Sequence, residues 1–292
     1  MRMTEPNVAL GRRMIGDISI GDMRVPRLGF GAMRITGEGI WGEPRDQAEA
    51  RRLLRRVVDL GVRFMDTADA YGPEVSERLI AEALHPYPAG LVIATKGGLV
   101  RPDRPSWVPD GRPQHLREAC EASLRRLRLD RIDLYQLHTV DPHVPLEDSL
   151  GELTRLQREG KIRHIGVSNV SVQELERARR VAKVVSVQNR YNIADRSSQD
   201  VLHVCERDGL AFIPWSPLVQ SERDQSSPQR IALEHWARTR DLSVQQSALA
   251  WLLLKSNAML PIPGTSQVAH LEANLAAALA AHALRGELSA IA

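Results

Sequence analysis

From Leu28 onward, short apolar runs alternate with longer segments in which apolar residues recur every three or four positions. Short apolar runs bounded by loop residues indicate buried strands, and the longer period indicates amphipathic helices. Eight runs are predicted as strands: Leu28–Ala32, Val62–Ala68, Leu91–Lys96, Ile132–His138, Ile162–Ser168, Val184–Gln188, Ala211–Ser216 and Met259–Pro263. The segments predicted as helices are Arg45–Leu60, Ser76–Leu84, Gln114–Leu129, Pro145–Glu159, Ser171–Ala182, Ser197–Asp208, Ser227–Arg240 with Val244–Lys255, and Gln267–Ala281.

Eight strand-then-helix units with strands apolar on both faces predict an α/β fold of the (β/α)8 TIM barrel type. Upstream, Met14–Ile20 and Met23–Arg27 flank Gly21-Asp22, a pattern typical of a β-hairpin. This N-terminal hairpin is expected to close the bottom of the barrel. Because barrels of this type reach such a length as one unit, residues 1–292 are predicted to form a single domain.

An open, doubly wound sheet is the competing architecture, and it normally carries a glycine-rich turn between its first strand and a helix. Gly29-Phe30-Gly31 is the only candidate for that turn. It lacks a third glycine at the required offset, and Arg34–Glu43 has the composition of a loop. The pattern therefore favours the closed barrel.

Composition narrows the class of protein. The chain has 43% hydrophobic and 26% charged residues and a net charge of +3, an ordinary globular profile. Without a dense Lys/Arg block, it gives no indication of a nucleic-acid partner. Cys120 and Cys205 fall in helical segments and are predicted to be free thiols. No apolar run reaches about 18 residues and no leader pattern precedes Met14, so we expect a cytoplasmic protein without a membrane partner.

Polar residues stand at the predicted carboxyl ends of consecutive strands: Asp66 after the second, Lys96 after the third and His138 after the fourth, with Tyr71 one loop step beyond Asp66. The carboxyl ends of barrel strands build the active site. A lysine paired with an aspartate stays charged, and that charge is expected to lower the pKa of a neighbouring phenol, so that it exchanges a proton near neutral pH. A neutral histidine beside it could hold a carbonyl oxygen.

Two simpler interpretations compete with this one. Asp66 and Lys96 alone would suit a structural ion pair, but Tyr71 and His138 at neighbouring strand ends favour catalysis. His138, Asp141 and His143 could suggest a metal centre. Their spacing crosses a proline-containing loop and matches no standard ligand pattern, so we predict no metal.

Five motifs at these strand ends resemble, in order, those of aldo-keto reductases: Asp66-Thr67-Ala68-Asp69-Ala70-Tyr71-Gly72, Thr95-Lys96, Leu137-His138, Gly166-Val167-Ser168-Asn169 and Val187-Gln188-Asn189-Arg190-Tyr191-Asn192. The resemblance runs from Leu28 to Asn274. It implies an oxidoreductase in which Tyr71 is the general acid, Lys96 and Asp66 tune it, His138 orients the carbonyl, and a nicotinamide cofactor supplies hydride.

The resemblance also implies a cofactor path. Ser168, Asn169 and Gln188 would bind the nicotinamide carboxamide, and Trp215 would stack on the ring. Ser216 and Leu218 would follow the pyrophosphate, and the turn opening the last helix would take the adenosine phosphate. The full set of predicted cofactor-binding residues is Gly31, Ala32, Met33, Asp66, Ser168, Asn169, Gln188, Trp215, Ser216, Pro217, Leu218, Gly264, Thr265, Ser266, His270 and Asn274.

One departure from the family pattern concerns the cofactor's phosphate. Many relatives carry a Lys or Arg after the Ile-Pro pair and an Arg further into the helix, where this chain has Gly264 and His270. A 2′-phosphate attracts such basic groups. NADPH is the predicted cofactor from the family, with NADH as the alternative.

A small-molecule carbonyl compound is the expected substrate. Tryptophans fall in loops after predicted strands, and a pocket formed by Met33, Trp41, Tyr71, Trp107 and His138 is our hypothesis. The segments Gly97–Pro113 and Val219–Pro228 are expected to set substrate choice.

Within the family, Tyr71-Gly72-Pro73 and Ile262-Pro263-Gly264-Thr265-Ser266 are most similar to bacterial pyridoxal reductase-like members, which implies reduction of pyridoxal to pyridoxine. Reduction of a keto-sugar or natural-product carbonyl stays open. So do a non-catalytic barrel that senses nicotinamide cofactor and a metal-dependent barrel hydrolase or lyase.

Overall fold

A computed structural model describes residues 15–219 and 226–283. Its centre is a curled sheet of seven parallel strands in the order β3-β4-β5-β8-β9-β10-β11. These strands are β3 Phe30–Gly31, β4 Phe64–Asp66, β5 Val92–Gly97, β8 Ile132–Leu137, β9 Ile162–Ser168, β10 Val184–Gln188 and β11 Ala211–Phe212. Two antiparallel hairpins accompany them, formed by β1 Asp17–Ile20 with β2 Met23–Pro26 and by β6 Leu99–Val100 with β7 Val108–Pro109.

The segment of residues 258–263 closes the sheet into a barrel. On one side it exchanges backbone hydrogen bonds with Phe212 of β11, and on the other its carbonyl groups at Pro261 and Pro263 accept from Gly29 and Gly31. The two prolines lack N–H donors, so a continuous ladder cannot form here. The predicted eighth strand is therefore present as a closing segment, and the predicted (β/α)8 barrel is confirmed.

Helices surround the sheet: α1 Gln47–Asp59, α2 Val75–Leu84, α3 Pro113–Leu127, α4 Leu146–Arg158, α5 Val172–Val181, α6 Gln199–Asp208, α7 Pro228–Arg238, α8 Val244–Lys255 and α9 Val268–Ala283. Local sequence sets their starts. The side chain of Asp46 accepts from the Glu49 amide at the start of α1, and Ser171 forms a capping box with Glu174 at the start of α5. None of the described helices has the length and apolarity needed to cross a membrane.

The N-terminal hairpin closes the bottom of the barrel, as predicted. Its inward side chains Ile18, Ile20, Met23 and Val25 belong to one buried cluster with residues of the barrel strands: Phe64, Val92, Ala94, Leu134, Val185, Ala211, Ile213, Leu260 and Ile262. Gly21 turns the hairpin with φ of 63°, in the left-handed region that favours glycine. The predicted start at Met14 lies outside the described residues.

Element bounds differ from the predictions in three ways. Strands β3 and β11 contain two residues each, because Pro214 and the glycine-rich stretch around Gly31 interrupt regular pairing. In the segment Gly97–Pro113, where no strand was predicted, residues 99–109 contain the β6–β7 hairpin. Arg34–Glu43, predicted as loop, begins inside a short 3-10 helix spanning Ala32–Ile35.

Candidate active site

A cavity of about 550 Å³ opens where the barrel strands end. Most of its lining residues come from the carboxyl ends of strands or from the loops that follow them, the usual position of an active site in this fold. The lining residues are Gly31, Met33, Arg34, Asp66, Tyr71, Leu99, Trp107, His138, Ser168, Asn169, Gln188, Trp215, Ser216, Pro217, Leu218, Ile262 and Gly264.

A buried lysine links three groups at the floor of this cavity. Lys96, fully buried at the end of β5, donates from Nζ to Asp66 Oδ2 at 2.7 Å and to the Thr67 carbonyl at 2.8 Å. Its third partner is the hydroxyl of Tyr71 at 3.2 Å. The ammonium therefore uses all three of its donors. The sequence-predicted trio of Tyr71, Lys96 and Asp66 is brought together in hydrogen-bond contact.

The carboxylate of Asp66 is held from a second side. Its Oδ1 accepts from the side-chain amides of Gln188 at 2.8 Å and Gln136 at 3.1 Å. Burial alone would lower the pKa of Lys96, but the charge of Asp66 and the hydroxyl of Tyr71 outweigh it and raise that pKa. Lys96 is thus a permanent cation beside the phenol.

The pKa of Tyr71 is shifted in the direction opposite to the one expected from the sequence. Burial raises the pKa of Tyr71 above its ordinary value, and the charge of Lys96 opposes this without reversing it. The expected lowering by Lys96 exists as a contribution, but desolvation exceeds it. Tyr71 therefore keeps its proton at neutral pH, which is the protonation state that an acid donating to a carbonyl oxygen needs.

His138 follows β8 and is neutral. Burial, followed by the charge of Lys96, holds its pKa well below the ordinary histidine value. Its ring lies edge-on to that of Tyr71 with centroids 5.9 Å apart. Nδ1 is buried and has no hydrogen-bond partner among the described residues. A neutral imidazole lining the cavity beside the phenol can hold a carbonyl oxygen without adding charge.

The side chain of Asn169 links His138 to Trp215 by hydrogen bonds. Its backbone has φ of 56°, a left-handed conformation that asparagine tolerates better than most residues. Its side chain donates to the His138 carbonyl at 3.0 Å and accepts from Trp215 Nε1 at 3.0 Å. The fixed position of the amide therefore depends on both β8 and the segment after β11.

The polar groups at this wall fit the carboxamide of a nicotinamide ring. Gln188 commits its amide nitrogen to Asp66, while its carbonyl oxygen has no hydrogen bond within the described residues and lines the cavity. Ser168 is 1% exposed and donates to the Gln188 backbone carbonyl at 2.7 Å. An open acceptor beside an indole face can bind an amide that is attached to a planar ring.

Close backbone approach explains one departure from the family pattern. A Cβ atom on Gly264 would lie 2.7 Å from the Gly31 carbonyl oxygen, and a Cβ on Gly31 would lie 2.7 Å from that of Ile262. Such contacts are too short for real side chains. A lysine or arginine at position 264 would therefore require the closing seam of the barrel to shift.

Most of the predicted site residues lie around one cavity, and seven do not line it. Lys96 is one of these, and it reaches the lining through its contacts with Asp66 and Tyr71. Ala32 is fully buried behind the wall, Asn274 and Thr265 are buried in or near the last helix, and Ser266 and His270 are exposed there. Trp41 and Trp107 both lie against the guanidinium of Arg101. Sequence reasoning missed Arg34, Leu99 and Ile262; Arg34 directly follows the predicted Gly31–Met33, and this adjacency was the available signal.

A second buried charged group lies between α2 and β5. Glu77 of α2 is fully buried and accepts from Thr95 at 2.6 Å and from Arg126 at 2.7 Å. The neighbouring Asp69 has a buried Oδ1 without a hydrogen-bond partner among the described residues. Burial and the charge of Glu77 raise the pKa of Asp69 to about 8.

Comparison with known proteins identifies the class. Residues 27–284 match the model of the aldo/keto reductase family, and the chain belongs to this family. It is 48% identical over 278 residues to the uncharacterized oxidoreductase C215.11c of Schizosaccharomyces pombe, covering 95% of this chain and 90% of that protein. It is 42% identical over 265 residues to pyridoxine 4-dehydrogenase of Escherichia coli, covering 89% and 91%.

Solved structures agree with this assignment. An aldo-keto reductase from Klebsiella pneumoniae in complex with NADPH has a TM-score of 0.76 at 27% identity, covering 90% of this chain and 89% of that one. The protein is an oxidoreductase of a family that uses nicotinamide cofactors. Among residues 15–219 and 226–283, no cluster of three or more His, Cys, Asp or Glu side chains has the arrangement of a metal site.

Proposed function

We propose that this protein reduces an aldehyde to a primary alcohol with NADPH, with pyridoxal as the leading substrate and pyridoxine as its product. The observation that carries the proposal is the contact of Tyr71 with Lys96 and of Lys96 with Asp66 at the floor of the cavity. The similarity to pyridoxine 4-dehydrogenase supports the substrate class.

The chemistry needs a hydride and a proton. When bound, NADPH would supply the hydride to the carbonyl carbon. Tyr71 holds its proton at neutral pH and transfers it from the hydroxyl to the carbonyl oxygen as that oxygen gains charge. Lys96 stabilises the phenolate that remains, and Asp66 keeps Lys96 charged and in place. His138 orients the carbonyl oxygen toward Tyr71.

The residues that would hold the cofactor are Ser168, Asn169, Gln188 and Trp215 at the nicotinamide end. Ser216 lies next along the cavity, and its left-handed backbone at φ of 54° is fixed by a hydrogen bond from Asn192 to its carbonyl at 3.0 Å. These groups position the ring so that one of its faces meets the substrate.

Arg34 supports the preference for NADPH. Its stem lies against Gly264, with Cγ 3.8 Å from where a Cβ of residue 264 would stand. It is exposed at the cavity wall and makes no hydrogen bond or ion pair with the described residues. Arg34 therefore offers a positive charge beside the position where many relatives carry a basic residue, and a 2′-phosphate is a suitable partner for it.

The experiment is a paired turnover screen with NADPH and NADH on pyridoxal, a simple aliphatic aldehyde and a keto-sugar. We expect pyridoxal to give the highest kcat/KM with NADPH. The dissociation constants of both cofactors are measured in parallel by quenching of tryptophan fluorescence. Arg34→Ala should weaken NADPH binding about tenfold and leave NADH binding within about twofold.

Each claim of the proposed function, on substrate, cofactor and catalysis, would be refuted by a different result of this screen. No turnover of pyridoxal would remove the leading substrate. Equal kcat/KM with both cofactors would remove the 2′-phosphate preference, and equal weakening of both by Arg34→Ala would place Arg34 away from the 2′-phosphate. No turnover of any carbonyl compound by a protein that binds cofactor would favour the sensor interpretation.

We further infer a single domain and a cytoplasmic location. The family match spans 258 of the 292 residues, from 27 to 284, which supports one domain. Cys120 and Cys205 are both free and buried, which suits a reducing compartment.

A further inference from the structure

Arg101 occupies an unusual position above the active site. It lies after β6, at the start of the turn of the β6–β7 hairpin, and only 7% of its surface is exposed. Burial lowers its pKa, and the carboxylate of Asp103 offsets part of that effect. No carboxylate among the described residues forms an ion pair with it. A buried guanidinium without a counter-ion must be stabilised by other contacts.

Backbone carbonyl groups supply the first set of contacts. The guanidinium donates to Ile40 at 3.1 Å and to Gly39 at 3.3 Å, both in the loop after β3. It also donates to the carbonyl of Arg104 in its own turn. These bonds connect two loops whose residues are some 60 positions apart in sequence. A fork of several N–H donors makes this possible, and a lysine could not reproduce it.

Two indole rings supply the second set of contacts. The guanidinium carbon lies 3.9 Å from the ring centre of Trp107 and 5.4 Å from that of Trp41. Distances under about 6 Å give an attractive cation–π interaction, which is stronger when the cation is desolvated. Arg101 therefore holds one tryptophan from each of the two loops.

Trp107 connects Arg101 to the catalytic side chains of Tyr71 and His138. Its ring lies edge-on to Tyr71 and to His138, with centroids 6.5 Å apart in both pairs, and it lines the cavity. Yet 37% of Trp107 is exposed and it precedes a strand of two residues. An indole so weakly anchored would sample several rotamers without a fixed neighbour. Arg101 provides that neighbour.

We propose that Arg101 is a positioning residue that fixes Trp107 as the substrate wall and thereby selects planar, ring-bearing carbonyl compounds over small aliphatic ones. The fixed indole offers its surface to a substrate ring placed beside Tyr71 and His138. A small aldehyde reaches the same catalytic groups without touching this wall. The inference rests on the proposed carbonyl reduction and adds the determinant of substrate shape.

The test compares kcat/KM for 4-nitrobenzaldehyde and for propanal at saturating NADPH. In Arg101→Ala and Trp107→Ala, we expect the ratio of the two values to fall about tenfold, through KM for the aromatic substrate. The double variant should fall no further than Trp107→Ala, because both residues act as one unit.

Arg104→Ala is the matched control. Arg104 belongs to the same turn and pairs with Glu38 of the other loop at 3.4 Å, but both side chains are mostly exposed. An exposed ion pair contributes little. The variant should keep the wild-type ratio. Arg101→Lys retains a charge without the fork, and we expect it to restore only part of the ratio.

Hydrogen exchange gives a readout that does not require turnover. Amides in residues 36–42 and 101–107 should exchange faster in Arg101→Ala than in the wild type, and not in Arg104→Ala. If Arg101→Ala does not fold, Arg101→Lys and Trp107→Ala carry both measurements.

Three results would overturn the inference: an equal loss on both aldehydes, additive effects in the double variant, or unchanged exchange in residues 36–42. If the wild type reduced neither aldehyde, the proposed function would fail, and the exchange result alone would decide the role of Arg101. If the wild type reduced both aldehydes and Arg101→Ala left the ratio unchanged, only the role of Arg101 would be refuted. The proposed function would stand.

Discussion

At the bottom of the barrel the buried guanidinium of Arg27 donates to the carbonyl groups of Leu253, Met259 and Ile15 and to the side chain of Asn257. At the rim, buried polar atoms of Asp69 and His138 have no hydrogen-bond partner among the described residues. Unsatisfied buried polar atoms are costly, and native proteins keep few of them. The bottom is built for stability and the rim for chemistry.

The same contrast holds for the apolar contacts. The N-terminal hairpin fills the bottom with Ile18, Ile20, Met23 and Val25, all buried. The rim keeps a cavity of about 550 Å³ that an apolar plug would have removed. Changes at the two ends should therefore affect different quantities, and the following predictions test this separation.

The largest expected effect is at the rim. Tyr71→Phe removes the proton donor and should lower kcat for aldehyde reduction about a thousandfold, or about 4 kcal/mol in the barrier. The midpoint of thermal unfolding should fall by a few degrees only, because the ring is retained and Lys96 loses one of its three acceptors. Steady-state kinetics and thermal unfolding measure the two quantities.

Tyr87→Phe is the control for this variant. Tyr87 donates to the Leu127 carbonyl at 2.7 Å, away from the cavity, and its loss should leave kcat unchanged. Unchanged turnover in Tyr71→Phe itself would contradict the assigned acid and favour a non-catalytic role.

The second-largest expected effect is a loss of stability from a substitution at the bottom of the barrel. Ile20→Ala leaves a cavity in the cluster beneath the barrel and should lower the free energy of unfolding by about 3 kcal/mol, with kcat/KM of the folded enzyme unchanged. Denaturant titration measures the first and steady-state kinetics the second. Ile231→Ala, at a side chain 58% exposed, is the control and should change stability by under about 0.5 kcal/mol. A large fall in kcat with Ile20→Ala would show that the two ends are coupled.

The smallest effect concerns pH. Asp69 has a folded-state pKa of about 8, above its ordinary value of 3.8, so the folded state binds a proton that the unfolded state releases. The stabilising contribution is complete below about pH 4 and is lost as the pH rises toward 8. Relative to the wild type, Asp69→Asn should therefore gain about 1 kcal/mol in unfolding free energy between pH 7 and pH 8.5.

Thermal unfolding at the two pH values checks this sign. Asp59→Asn, at an exposed residue in the last turn of α1, is the control and should show no such difference. A wild-type curve parallel to that of Asp69→Asn would mean that Asp69 is ionised in the folded protein, and the contrast between rim and bottom would be smaller than the geometry indicates.

Residue patterns predicted the barrel and the contacts of Tyr71, Lys96 and Asp66, because parallel strands bring their carboxyl ends to one rim and the motifs mark those ends. The net direction of the Tyr71 pKa was not predictable, since it depends on how far burial exceeds the charge of Lys96. The choice of cofactor-binding residues stays a prediction where it rests on the family alone.

Features formed by distant residues escaped sequence reasoning. Arg101 contacts the carbonyl of Gly39, 62 positions away, through bonds to backbone that carry no sequence signal. The β6–β7 hairpin has strands of two residues, too short to give an alternating pattern. Gly264 was seen as a departure, but its cause, the approach of the Gly31 carbonyl, depends on the closed barrel.

The hairpin at the barrel bottom has a consequence for synthesis on the ribosome. Ile18 and Ile20 are among the first described residues to emerge, whereas their partners Leu260 and Ile262 emerge more than two hundred residues later. The apolar face of the hairpin therefore lacks part of its packing partners through most of translation. During that interval the apolar face can bind chaperones or aggregate. Packing of the last barrel segment then buries it.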